Sequence, residues 1–455
     1  MSRNTYNFGV YGDTLSQHVQ NIDESNSVNG KPVYYWINQQ NKQVPDNAGF
    51  VGIISSINIT ARDLILTNNS MGILFVCTNN SRIENVTANL NDRYGIYLFY
   101  SSNNNLTNNT VSYNNNHGIC LDESSNNTLT YNTVNSNNEY DIDGIHLMHS
   151  DYNTLENNTA SNSYCGIHLD CSDNNKLAGN NASGNDGGIS MRYGSNDNTL
   201  TDNIANSNEW YGIAIDSSSN NNLANNTANT NDHYGISMYK SSSNTITGNN
   251  ISDNNLAGDT GSGISMYDSD NNNLKKNTVN LNDYGIRMEY SYNNIISCNW
   301  VYENSKRGFY LDRGNAGNNI SYNNIMSNGR LQSDGSYHWN FYGDFYGDVE
   351  ARNNYWGTTN LTIIDAGICD DDEGWHIVKF YPPADGPVPC APGPEIHGDV
   401  NHDGKLSTAD AVLALQMAVG SIDTDSAADV DSDGKITSLD ALMIIQAVAG
   451  NIEIG

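Results

Sequence analysis

The chain has 455 residues, 20 Lys and Arg against 51 Asp and Glu, and a formal net charge of −31. A field of that sign repels polyanions and gathers divalent cations, which excludes nucleic acid as an unassisted partner. No apolar run of about 18 residues occurs, so no transmembrane segment is expected, and the length leaves room for two or three domains.

The first residues, MSRNTYNFGVYGD (Met1 to Asp13), lack a basic start followed by an apolar core, so no signal peptide is visible. Before Gly52 the repeat described next breaks, and YNFGVYG reads as the remnant of an earlier coil. The chain is therefore expected to be a truncated or mature fragment. Roughly a dozen Asn-x-Ser/Thr sequons, among them Asn58, Asn85, Asn105, Asn126, Asn157, Asn225 and Asn360, point to an extracellular or cell-surface glycoprotein.

A Gly-apolar pair recurs at Gly72, Gly95, Gly118, Gly144, Gly166, Gly188, Gly212, Gly235, Gly263, Gly285 and Gly308, usually 22 to 24 residues apart. Self-similarity at that period means a solenoid. Each period reads like GISMYKSSSNTITGNNISDNN: a short alternating strand, Asn and Ser turns, then a second brief run. Such runs are too short and too alternating for helices. Parallel coils stacked about 4.8 Å apart make the expected fold mainly β, a right-handed parallel β-helix of about 11–12 coils over residues 1–381. The first and third residues after Gly, such as Ile145 and Leu147, should point inward. Asn at one place in successive coils should stack its amides into a ladder. Longer intervals, 26 before Gly144 and 28 before Gly263, should bulge as loops at EYDID and NLAGDTGS.

These Gly-Ile coils, with NGKPVYYW (Asn29 to Trp36) at the start and NNYWGTTN (Asn353 to Asn360) at the exit, resemble the NosD-like β-helix family of carbohydrate-binding and sugar-hydrolase repeats. The resemblance implies a periplasmic or microbial surface protein.

The second and fourth residues after each Gly should form an outer face: Cys120 and Asp122, His146 and Met148, His168 and Asp170, Ser190 and Arg192, Ala214 and Asp216, then Tyr239, Tyr267, Arg287, Glu289, Tyr310, Asp312 and Arg313. Aromatic rings among carboxylates and Arg suit a polysaccharide or glycan ligand. As an enzyme, the face would use His146 or His168 as base beside a uronate carboxylate, with Arg192 and a further calcium held by Asp122, Asp170 or Asp216 stabilising the enolate-like charge. Two of the Asp would serve a glycoside hydrolase instead. Cys120, His146, Met148 and His168 are donors suited to copper, and a solvated strand face without chemistry remains the plainest alternative.

Seven cysteines leave at least one unpaired. Cys369 with Cys390 and Cys165 with Cys171 are candidate bridges, and Cys77, Cys120 and Cys298 are candidate buried thiols. Six of the eight prolines lie between Pro382 and Pro394, so residues 382–395 should form an extended linker.

Residues 396–455 carry two acidic twelve-residue loops thirty residues apart, DVNHDGKLSTAD (Asp399 to Asp410) and DVDSDGKITSLD (Asp429 to Asp440). Ca²⁺ takes oxygens from positions 1, 3, 5, 7, 9 and 12 of such a loop. The first offers Asp399, Asn401, Asp403, the Lys405 carbonyl, Ser407 and Asp410; the second offers Asp429, Asp431, Asp433, the Lys435 carbonyl, Thr437 and Asp440. Gly404 and Gly434 make the turn at position 6. A helix should follow each loop, Ala411 to Val419 and Ala441 to Ala449, and none leads in. With Asp at position 12 and Leu406 and Ile436 at position 8, the pattern resembles a type I dockerin. That resemblance implies two calcium ions and a cohesin partner, chosen largely by positions 10 and 11: Thr408, Ala409, Ser438 and Leu439. The chain is thus expected to be a docked carbohydrate-binding rod, a polysaccharide-active enzyme of a cellulosome-like complex, a structural surface glycoprotein or a copper-processing protein.

Overall fold

The computed structural model describes residues 6–137, 142–255, 261–344, 347–370, 376–392, 398–401, 406–422, 424–431 and 433–452. It divides into two compact units, Met1–Cys390 and Ala391–Gly455.

The first unit is a β-solenoid of about 13 turns. Its first sheet stacks the Gly-apolar strands in parallel register, Ile145 on Ile167, Ile189, Ile213, Ile236, Ile264, Ile286 and Phe309. The second sheet stacks the run that follows, with Leu129 on Leu155, Leu177, Leu200 and Leu223. A third, interrupted sheet stacks Val111, Val134 and Ala160 in one part and Ile251, Val279, Val301 and Ile325 in another. All of these side chains are buried in one continuous core. Burial of each Leu or Ile stabilises the coil by about 1.5–3 kcal/mol. The turn number exceeds the sequence-based expectation because the earliest coils lack the Gly marker. With Val51 opposite Ile73, Phe50 stands where the next coil has Gly72.

The glycine marks a close approach. A Cβ on Gly188 would fall against the carbonyl oxygen of Gly212 in the next coil.

Asn fills the corners between sheets. Along one corner Nδ2 donates to the next Oδ1 from Asn109 through Asn132, Asn158, Asn180, Asn203, Asn226, Asn249, Asn277, Asn299 and Asn323 to Asn354, at 2.8–3.1 Å. The expected ladder is present, and it also satisfies main-chain groups. In it the backbone N–H of Asn180 donates to Asn203 Oδ1 and Asn203 Nδ2 donates to the Leu177 carbonyl. The ladder residues are buried, whereas the seven sequon asparagines named above are all exposed.

Two expectations fail here. The disulfide joins Cys298 to Cys390, while Cys165, Cys171 and Cys369 are free thiols. A separation of 92 residues hid the pair: only the coil register brings Cys298 to the place where the chain returns. The proline-rich stretch is also no free linker through its first part. Ala384 N–H donates to the Asn354 carbonyl and Val388 N–H to Asn324 Oδ1, so residues up to Cys390 pack on the solenoid. Expected loop bulges at EYDID and NLAGDTGS fall mostly on 138–141 and 256–260, outside the described residues. Replacing Cys390 with Ser is expected to cost about 2–4 kcal/mol and to lower the Tm of the solenoid, followed by circular dichroism. An unchanged Tm would mean that the bridge adds nothing to the packed coils.

In the second unit, helices span Thr408–Ala418 and Ser438–Val448. They begin three residues earlier than expected because Ser407 and Thr437 are N-caps whose side chains accept from the Ala409 and Leu439 N–H groups. The helices close a core of Val400, Ala411, Ala414, Met417, Ala428, Val430, Ala441 and Ile444, with Leu406 and Ile436 packed against it.

Candidate functional site

The first sheet carries three outward columns. The second residue after each Gly gives Cys120, His146, His168, Ser190, Ala214, Ser237, Ser265, Arg287 and Tyr310, and the fourth gives Asp122, Met148, Asp170 and Arg192, then Asp216, Tyr239, Tyr267, Glu289 and Asp312. A third column comes from the residue before each Gly: His117, Asp143, Cys165, Tyr211, Tyr234, Tyr284 and Arg307. Strict alternation counted from Gly assigns these inward. The chain bends at the glycine, and they turn onto the outer face instead.

That missed column completes a cluster. Asp143 Oδ2 lies 3.0 Å from His168 Nδ1, 3.4 Å from His146 Nδ1 and 3.5 Å from His117 Nδ1. His117 Nε2 is 3.0 Å from His146 Nδ1, and the His117 Nδ1 accepts the Asp143 N–H at 2.9 Å. The His146 and His168 rings stack with centroids 4.8 Å apart. Burial lowers His117 and takes His146 down to about 3, the latter because protonating both neighbouring rings at once is also unfavourable, so both rings are neutral at physiological pH. Burial raises the Asp143 carboxyl, but the hydrogen bond and charge of His168 outweigh it and hold it below the usual carboxylate range. Donor atoms of His117, Asp143 and His146, and of Asp143, Cys165 and His168, come together closely enough to hold a metal ion. Of the donors expected for copper, His146 and His168 join this cluster; Met148 stands in the Asp122–Asp170 column.

The other predicted catalytic residues stand apart from the histidines. Asp170 and Asp216 flank Arg192 one coil to either side, and Arg192 donates to Tyr211 Oη at 3.1 Å. Asp122, Asp170 and Asp216 occupy alternate coils, about 9.6 Å apart at the strand spacing. A calcium ion with bonds of about 2.3–2.6 Å reaches only one of them.

Further along the face the middle column stays small, Ser190, Ala214, Ser237 and Ser265, and at Ser237 and Ser265 it forms the floor of a trench. Tyr234 makes one wall, Tyr239 and Tyr267 the other, and the last two stack at 5.4 Å and are 42% and 37% exposed. Arg287 and Glu289, 3.8 Å apart, close the far end. Arg307 lies over the Tyr342 and Tyr310 rings at 3.6 and 4.2 Å.

In the acidic loops the carboxylates of Asp429, Asp431 and Asp433 converge. Asp429 accepts the Asp433 and Gly434 N–H groups, and Asp440 accepts those of Val430 and Thr437. Asp410 repeats the arrangement with Asn401 and Ser407. Gly434, at φ +80° with open space around it, makes the turn. Local desolvation and the charges of Asp433, Asp440 and Asp429 push the Asp431 carboxyl up, a repulsion that a divalent cation relieves. The residues present therefore fit calcium. Asp403, Gly404 and Lys405 of the first loop lie outside the described residues. Thr408, Ala409, Ser438 and Leu439 are exposed in the first turn of each helix.

Solenoid and loops together define a parallel β-helix protein with a C-terminal duplicated-loop module. Residues 37–159 and 223–354, together more than half of the chain, match the family described as "Right handed beta helix region", and the chain belongs to that family. Residues 397–449 match "Dockerin type I domain" and residues 138–258 match "Periplasmic copper-binding protein (NosD)". No curated protein matches the chain. Similar solved structures include the A-module of the Azotobacter vinelandii mannuronan C-5 epimerase AlgE4 (14% identity, 72% of this chain and 90% of that one, TM-score 0.45) and the periplasmic alginate epimerase AlgG (15%, 75% and 81%, 0.41). PfbA, a surface adhesin of Streptococcus pneumoniae, is also similar (11%, 59% and 82%, 0.43).

Proposed function

We propose that the protein docks through its calcium-loaded C-terminal module onto a cohesin outside the cell and binds an extended polysaccharide along the trench of its first sheet. The trench carries this proposal. Its floor of small side chains leaves room for a chain lying across successive coils, and the exposed faces of Tyr239 and Tyr267 offer stacking surfaces to apolar sugar faces. Glu289 and Arg287 supply an acceptor and a donor for hydroxyls at one end. The coil repeat of about 4.8 Å is close to the advance of one sugar residue in an extended chain, so equivalent contacts recur along the polymer.

Binding is favoured over turnover by the state of the two proposed bases. His146 and His168 turn Nδ1 toward Asp143, each Nε2 is buried without a hydrogen-bond partner, and both residues stand on coils before those that line the trench. Docking is supported by the matched dockerin segment and by exposed apolar side chains beside the positions that resemble the partner-choosing ones: Val412 and Leu415 on one helix, Leu442 and Ile445 on the other.

Affinity electrophoresis in gels containing neutral or uronic polysaccharides, with calcium, tests the trench. Retardation by at least one polymer is expected, and Tyr239→Ala with Tyr267→Ala should weaken it about 10-fold, two stacking contacts at about 0.5–1.5 kcal/mol each. Equal retardation of the double variant would remove the trench as the binding surface, and new reducing or unsaturated chain ends would make the protein an enzyme.

A further inference from the structure

The geometry points to a binding site for one borderline divalent d-block cation of the Zn²⁺ class in the first sheet, formed by His117, Asp143 and His146 and supported by His168. It is distinct from the acidic loops and does not depend on the polysaccharide proposal.

Two successive coils supply the ligands and a third supplies His168, so the site is set by the stacking of the solenoid rather than by a mobile loop. The side chains of His117, His146, His168 and Asp143 are 14%, 12%, 10% and 3% exposed. Separations of 3.4 Å from Asp143 Oδ2 to His146 Nδ1 and 3.0 Å from His146 Nδ1 to His117 Nε2 bracket the edge of a tetrahedron whose metal–ligand bonds are about 2.0–2.1 Å, an edge of about 3.3 Å.

Proton counting gives the second argument. His117 accepts the Asp143 N–H on Nδ1, so a neutral His117 carries its proton on Nε2, directed at His146 Nδ1. His146 Nδ1 accepts that proton, and Asp143 Oδ2 lies 3.4 Å from the same nitrogen. A cation in the place of that proton meets His117 Nε2, His146 Nδ1 and Asp143 Oδ2, and the His117 proton moves to Nδ1 at the cost of the Asp143 N–H bond. His168 has the supporting place: its Nδ1–H donates to Asp143 Oδ2 at 3.0 Å, and the Cys165 N–H holds Oδ1 at 3.2 Å. Such outer partners fix a ligating carboxylate and tune its basicity.

The donors also select the ion. Imidazole nitrogen with a single carboxylate suits Zn²⁺ or Co²⁺ and gives Ca²⁺ too few oxygens. His117, the most exposed member, opens the site to the outer face.

Co²⁺ titration of the full chain, in excess calcium to keep the acidic loops filled, tests the site. Visible d–d bands saturating at one equivalent are expected, displaced by Zn²⁺. Asp143→Asn and His146→Gln should each weaken the Co²⁺ affinity about 100-fold or more, while Asp431→Ala should leave the bands intact. Should either cluster variant fail to fold, a Zn²⁺-soaked crystal of the unaltered chain decides: anomalous density within bonding distance of Asp143 and His146 is expected. Bands that persist in both folded variants, wild-type protein without them, or no anomalous density at Asp143 would each overturn the site.

Discussion

Asn203→Leu is expected to destabilise the solenoid by about 4–6 kcal/mol, far more than any exposed substitution of the same kind. The side chain is of similar size, so the effect comes from hydrogen bonds. Asn203 Oδ1 accepts the Asn180 N–H at 2.9 Å and its Nδ2–H at 3.0 Å, and Asn203 Nδ2 donates to the Leu177 carbonyl and to Asn226 Oδ1. Leucine leaves two donors and one carbonyl buried and unpaired, at about 1–3 kcal/mol each. Low polarity around the corner raises that cost, because no water replaces the missing partner. Urea unfolding of Asn203→Leu beside Asn222→Leu, an exposed position in the adjoining strand, measures the difference. A loss below about 1 kcal/mol for Asn203→Leu would mean that the ladder is decoration on an apolar core.

Calcium removal should melt the second unit and leave the first folded. Four acidic side chains crowd the second loop, Asp429, Asp431, Asp433 and Asp440, and the core beneath is only a handful of residues. With the ion, carboxylate repulsion becomes ligation, and binding free energy becomes folding free energy. Chelation by EDTA is therefore expected to abolish the helical component of the far-ultraviolet spectrum contributed by Thr408–Ala418 and Ser438–Val448, and with it capture by an immobilised cohesin. Asp431→Ala should raise the calcium concentration needed for half refolding by tenfold or more, roughly 1.4 kcal/mol for each factor of ten. Retention of the helical signal in EDTA would show that the small apolar core suffices alone.

Much of this was readable in the residues because both units are periodic. Gly-apolar pairs every 22 to 24 residues specify a coil, and the inward role of Ile145 and Leu147 follows from alternation. The acidic loops declare themselves through fixed ligand spacing. What alternation could not supply was the bend at the glycine, which turns His117, Asp143 and Cys165 onto the outer face and makes a cluster from residues that a count of two places inside. The Cys298–Cys390 bridge was hidden for a related reason: pairing across 92 residues depends on where the chain returns after the last coil. Helix starts at Thr408 and Ser438 were missed because the loop's last positions serve two purposes, ligand sphere and cap. A Ser or Thr followed by Asp three residues on was the available signal.

The bridge also determines how the molecule carries load. Residues 299–389 lie within a covalent ring closed by Cys298 and Cys390, and every residue of the C-terminal unit lies beyond it. Tension applied through that unit passes across the sulfurs and enters the solenoid at Cys298. The final coils, with their short strands Asn319–Ile320 and Ile368–Cys369, stand outside the path of the force. Pulling from the C-terminus therefore meets an interior coil with neighbours on both sides, and the frayable end is not peeled first.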